Sequence, residues 1–199
     1  GEIFAVSLVA LLNAPLPLLP LQILYINIVS DVFPALALGM GGNMADVMKR
    51  PPRDPQEPIL TRFHWGVIGG YGAVIGLSVL AVFWMAFQLD LSAEEAVTIS
   101  FLTFAFARLW HVFNMRDPDA PFFRNEVTTN RFVWIALAIG VALTLAAAYL
   151  PGLSPVLSTV PPSAEGWLLI AIGSLVPLIV GQLAKLRIVR RLLPGGKRG

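Results

Sequence analysis

Five apolar runs leave this chain few ways to fold. They cover roughly Leu18–Gly39, Phe63–Gln88, Glu95–Asn114, Phe132–Leu150 and Gly166–Lys185. Each nears or exceeds the ~20 residues a helix needs to cross a ~30 Å hydrocarbon core. In hydrocarbon, every backbone N–H and C=O must be paired within the protein, and a helix does this inside a single run. The expected fold class is therefore all-α, a polytopic transmembrane helix bundle. With 56% hydrophobic and only 13% charged residues, and a mean hydropathy of +0.74, the chain lies outside the soluble range.

A further apolar run, Gly1–Asn13, ends at a Pro15/Pro17 turn. At 1.5 Å per residue it covers only ~20 Å of the core. We count about six spans with the first incomplete. Glu2 would begin the protein in mid-membrane, and no initiator Met precedes it. Both facts lead to the expectation that the polypeptide continues upstream.

The charges set an orientation. Lys49, Arg50, Arg53 and Arg62 lie between the first two full spans, and Arg116, Arg124 and Arg131 between the third and fourth. Lys185, Arg187, Arg190, Arg191, Lys197 and Arg198 close the chain. These segments alternate to one side, while the opposite loops around Pro15–Pro17, Asp90–Glu94 and Pro151–Glu165 hold no Lys or Arg. By the positive-inside rule the basic loops and the C-terminus are cytosolic. We divide the chain into a membrane domain, 1–185, and a basic cytosolic tail, 186–199, which would rest on anionic headgroups. A pI near 9.3 thus reflects membrane topology rather than nucleic-acid binding.

Other chemistry is sparse. There are no cysteines, so disulfides and thiolate metal sites are excluded within the chain. No nucleotide-binding glycine loop, nucleophile–base pair or zinc-ligand spacing stands out. Gly66-x-x-x-Gly70 and Gly72-x-x-x-Gly76 predict a closely packed partner helix. The proline-rich Lys49–Pro55 segment reads as an extended connector or a docking strap.

One span carries what the others lack. Asn27, Ser30 and Asp31 fall at i, i+3 and i+4, on one helix face. A carboxylate inside a bilayer is costly and marks an ion or proton path. Pro34 follows; it has no N–H, and its ring clashes with the carbonyl of Ser30. The helix should loosen where the oxygen atoms cluster, so that carbonyls join the side chains as ligands. Carboxylate and amide oxygens suit calcium or magnesium better than soft metals. Asp31 could instead serve as interhelical glue, and Arg108, the one basic residue inside a span, as an internal counter-ion or a snorkelling headgroup contact. Read from these residues, the chain is part of a cation pump, a small secondary transporter or channel subunit with Asp31 as its proton or ion site, or a non-transporting scaffold.

The stretch Pro20–Asp31 with Pro34–Gly39 resembles the sixth transmembrane helix of type II P-type cation ATPases, the calcium-pump-like enzymes. Met48–Arg53 and Glu57–Leu60 resemble the loop that follows that helix. Gly1-Glu2 is similar to the end of a fifth-helix motif, and Trp110–Asn114 to the eighth helix of bacterial members. The resemblance implies the C-terminal membrane part of a pump whose other portion carries the phosphorylation, nucleotide and actuator domains, and with them ATP and magnesium. It implies Glu2, Asn27, Ser30 and Asp31 as ligands of a transported metal cation, calcium first, in a multi-pass protein of the bacterial plasma membrane. On this resemblance the chain alone does not hydrolyse ATP. One departure stands out. Where two-calcium pumps place an acidic ligand in the eighth helix, this chain has Phe104-Ala105-Phe106-Ala107-Arg108.

Overall fold

A computed structural model describes residues 16–40, 62–115 and 127–192. The Gly1–Asn13 run with Glu2, the Lys49–Pro55 segment and residues 193–199 lie outside the described residues. Among the described residues the structure is helical without strands, and five helices are long and apolar enough to cross a membrane.

The first span is three pieces in series: α1 (Pro20–Asn27), a π-helical turn (Ile28–Val32) and α2 (Phe33–Met40). It starts cleanly because Pro20 occupies the first turn, where a missing N–H costs nothing. The Gln22 side chain reaches back to accept from Leu19 N at 3.0 Å. Next come α3 (Arg62–Gln88) and α4 (Ala93–His111), joined by a tight turn with Asp90 at φ 55°. Ser92 caps α4 by accepting from Glu95 N at 3.2 Å, and Glu94 and Glu95 sit at its positive end. The chain continues from α4 into a short 3₁₀ turn, Val112–Met115. α5 (Arg131–Tyr149) begins at an Asn130 cap and stops at Leu150, the residue before Pro151, which is held extended. A one-turn helix, α6 (Ser154–Leu157), precedes α7 (Ala164–Leu192). α7 runs without a break through residue 185.

α4 is the axis of the bundle. Its span is 72% buried, against 33–39% for the other four. It packs mainly on α3 and α7, then on α5, and Phe101, Leu102 and Phe104 are sealed from the surroundings. Two of its hydroxyl residues pair within the helix. Thr98 donates to Glu94 O at 2.9 Å and Ser100 to Ala96 O at 3.0 Å, each a turn back on its own helix. The outer faces of the other helices show apolar side chains such as Leu24, Ile68, Trp84, Ile135 and Ile172, as a lipid-facing surface does.

Close helix contact occurs at glycines beyond the expected Gly66/Gly70 pair. Among the described residues nothing lies against Gly66, Gly69 or Gly70: a Cβ added to each would meet no atom within 4 Å. Gly76 is buried. Tight contacts fall on α5 at Gly140, where a Cβ would come within 2.6 Å of Leu109, and on α7 at Gly166, Gly173 and Gly181. At the three α7 glycines a Cβ would come within 3.0 Å of Glu95, 2.5 Å of Val82 and 2.5 Å of Asn114, respectively. Their spacing of seven and eight residues keeps them on one face, so α3 and α4 approach the α7 backbone along its length.

Candidate cation site

The site grows out of Pro34. A proline within a helix leaves the carbonyl four residues back without its amide. The turn just ahead of it, Ile28–Val32, answers by widening to π geometry, pairing carbonyls with amides five residues on. The backbone stays helical rather than unwinding. This placement leaves carbonyls near Val29 and Ser30 short of amides at ordinary spacing.

The three polar side chains of this turn separate in their surroundings. Ser30 is buried and donates to Ile26 O at 2.7 Å, with Asp31 Oδ1 3.4 Å from its hydroxyl. Asn27 is half-buried. Asp31 keeps a side chain 52% exposed, so a carboxylate opens sideways from the middle of a membrane span.

Arg108 crosses to this turn from α4. Its Nη2 donates to both carboxylate oxygens of Asp31, at 2.5 and 2.6 Å, and its Nη1 donates to Asn27 Oδ1 at 2.9 Å. The guanidinium carbon stands 5.6 Å from the Phe104 ring centre, one turn back on α4. Arg108, expected either as an internal counter-ion or as a snorkelling headgroup contact, pairs here with Asp31. Charged on one side and held over an aromatic ring on the other, the guanidinium sits where a cation ligated by Asn27 and Asp31 would sit.

Asn27, Ser30 and Asp31 thus come together with Arg108, while Glu2 lies outside the described residues. The three supply a carboxylate, an amide oxygen and a hydroxyl, fewer than the six to eight oxygens a calcium ion takes. Among the described residues no three His, Asp or Glu side chains gather as a metal cluster. His111 packs edge-on against Tyr71 with ring centres 4.7 Å apart.

Sequence reasoning missed the residues that hold the first span in place. Gln22, fully buried, donates to Leu157 O at 3.0 Å. Tyr25 OH donates to Leu143 O at 2.8 Å, and Asn130 Nδ2 to Ala37 O at 2.8 Å. A polar side chain on a lipid-length apolar run was the available signal; nothing local says which distant carbonyl it meets.

The family described as cation transporting ATPase, C-terminus, matches residues 15–187. The chain is 37% identical over 187 residues to a calcium-transporting ATPase of Bacillus subtilis (strain 168), covering 92% of this chain and 21% of that protein. Against calcium-transporting ATPase 1 of Bacillus cereus the identity is 29% over 202 residues, with 94% and 23% covered. Against the human calcium-transporting ATPase type 2C member 1 it is 30% over 154 residues, with 77% and 17% covered. The chain therefore spans about a fifth of the length of these curated relatives.

Proposed function

Because the chain belongs to the cation-transporting ATPase family, matching its C-terminal membrane region, we propose that it forms the transport-site half of an ATP-driven pump for a hard divalent cation, calcium first. The observation that carries this reading is Asp31: a carboxylate half open at membrane depth, on a π turn in front of Pro34, beside Asn27 and Ser30. Its oxygens are of the kind calcium prefers, and the names of the relatives above are those of calcium transporters. Glu2, Asn27, Ser30 and Asp31 are the proposed ligands. The remaining oxygens, and the phosphorylation, nucleotide and actuator domains that use ATP and magnesium, belong to the rest of the polypeptide. The protein is an integral, multi-pass membrane protein; we place it in a bacterial plasma membrane with its basic loops and C-terminus in the cytosol. Family membership favours this reading over a free-standing secondary transporter or a scaffold.

Arg108 sets the stoichiometry we propose, one ion per ATP. A unit charge ~4 Å from another interacts by about 4 kcal/mol at an effective dielectric near 20. A divalent ion approaching Asp31 must therefore share the carboxylate with the guanidinium or displace it, and the fixed positive charge disfavours a second divalent ion nearby. Ion-stimulated ATPase activity of the full-length pump across a panel of cations tests the function, with calcium expected to give the highest activity at the lowest concentration. No stimulation by any divalent cation would overturn it. Two divalent ions moved per ATP would overturn the role of Arg108.

A further inference from the structure

Three neutral hydrogen bonds tie the first span to the α5–α6 region, and their positions bracket the candidate site. On one side of the π turn, Gln22 and Tyr25 hold Leu157 O and Leu143 O at 3.0 and 2.8 Å. On the other side, beyond Pro34, the tie is Asn130 to Ala37 O at 2.8 Å. Between these points the span is connected to α4 through the Arg108 contacts with Asn27 and Asp31. The ends are thus fixed by groups that carry no net charge. The middle is fixed by an ion pair whose positive member a cation can replace.

Asn130 has two tasks, and its two amide atoms divide them. Its Oδ1 accepts from Phe132 N at 2.9 Å and caps α5. Its Nδ2 donates to Ala37 O. The start of one helix is thereby bonded directly to the half of the first span that lies past the proline break. Ala37 is buried at this contact and lies six residues from Asp31, about 9 Å along a helix. Kinks concentrate at prolines and π turns; past this one, α2 packs along α5, and the Asn130 bond adds a directional tie to that packing.

We propose that Asn130 is a positioning residue for the transport site: by bonding Ala37 O it fixes α2 below the Pro34 break, so that movement of the first span on ion binding is confined to the π turn that carries Asp31. This rests on the reading of Asp31 as a cation ligand. Gln22 and Tyr25 do the same above the break.

The two tasks of Asn130 can be separated. Asn130→Ser in the full-length pump keeps an oxygen able to cap α5, since serine caps as well as asparagine, but lacks the amide arm that reaches Ala37. Thermal stability should fall no further than the loss of one average interhelical hydrogen bond entails. The cation concentration that half-saturates phosphorylation from ATP should rise by about threefold or more, the weight of one average interhelical hydrogen bond in a membrane. A merely structural role would leave that concentration where it was, which would overturn the proposal. A second readout does not depend on the ion: spin labels on cysteines replacing Gly39 and Leu89, both exposed, report how firmly α2 is held. Asn130→Ser should broaden their distance distribution, and an unchanged distribution would also overturn the proposal. Asp31→Asn serves as the third arm. If it leaves ion dependence intact, the reading of the site fails by itself, and the label distances still decide whether Asn130 holds α2.

Discussion

Pro34 in the first span and Pro177 in α7 create the same covalent defect, one missing helical N–H with an orphaned carbonyl four residues back. The bundle resolves the two differently. At Pro177 the orphan is Gly173 O, and the Ser78 hydroxyl on α3 donates to it at 2.7 Å. Gly173 has no side chain, so α3 comes close enough to make that bond, and α7 continues as a helix through Leu192. The defect is filled by a neutral group and becomes a packing contact. At Pro34 the backbone itself changes, into a π turn, and the residues beside it are a carboxylate and an amide bound to a guanidinium from another helix. A filled proline break glues helices; the one left beside exchangeable charges is the one proposed to bind and release an ion.

Asp31→Asn tests this contrast most severely. If the first break were only a packing contact, an amide would hydrogen-bond about as well as a carboxylate, and membrane hydrogen bonds average well under ~1 kcal/mol. We expect the full-length variant to express and insert normally but to lose ion-dependent phosphorylation from ATP. Near-normal ion affinity, measured beside Asn27→Ala, would make the two breaks equivalent.

Substituting the two prolines sharpens it. Pro34→Ala restores an N–H and lets the π turn relax to α geometry, which removes the extra residue and rotates Asp31 by about 100° relative to the far half of the span. Asp31 should then lose its alignment with Arg108, and ion affinity should fall. Pro177→Ala should leave ion affinity unchanged. Equal effects in a transport assay would show that the π turn has no special part in binding.

Gly173→Ala has the opposite profile. Its Cβ would lie 2.5 Å from Val82 Cγ1 and 2.9 Å from Thr103 Cγ2, an overpacking that costs about 1–3 kcal/mol. Thermal unfolding in detergent should show the loss, while the ion concentration for half-maximal phosphorylation stays put. A variant as stable as the parent would remove the α3–α4–α7 contact from the core.

Ser78→Ala should have the smallest effect, about 0.6 kcal/mol of stability for one interhelical bond. In a Pro177→Ala background the new amide takes over Gly173 O, and the serine should contribute nothing. An additive double-mutant cycle would mean that the hydroxyl does not answer the proline.

Local features of the site were legible in the sequence because they are short-range. Asn27, Ser30, Asp31 and Pro34 fall within eight consecutive residues, and the cost of charge and of a missing N–H in a membrane applies at each position. The glycine contacts were less so. The small-x-x-x-small pattern pointed first to Gly66 and Gly70 on α3, where an added Cβ meets nothing, whereas tight contacts occur at Gly140 and at a seven- and eight-residue spacing on α7. A glycine pattern says that a close approach is sterically open, not that a helix is there to make it.

The sequence by itself determined that the chain is a bundle of membrane helices, where the spans run and which span is chemically unusual. Those follow from hydropathy, charge placement and backbone pairing, all properties of consecutive residues. Only the tertiary structure decided that α4 is the buried axis, that Pro177 is answered by Ser78, and that Arg108 meets Asp31 across 77 residues of chain. The physical reason is that lipid tails and neighbouring helices are both apolar. A face that meets either is written with the same residues, so composition records that a helix is in the membrane but not which partner it finds there.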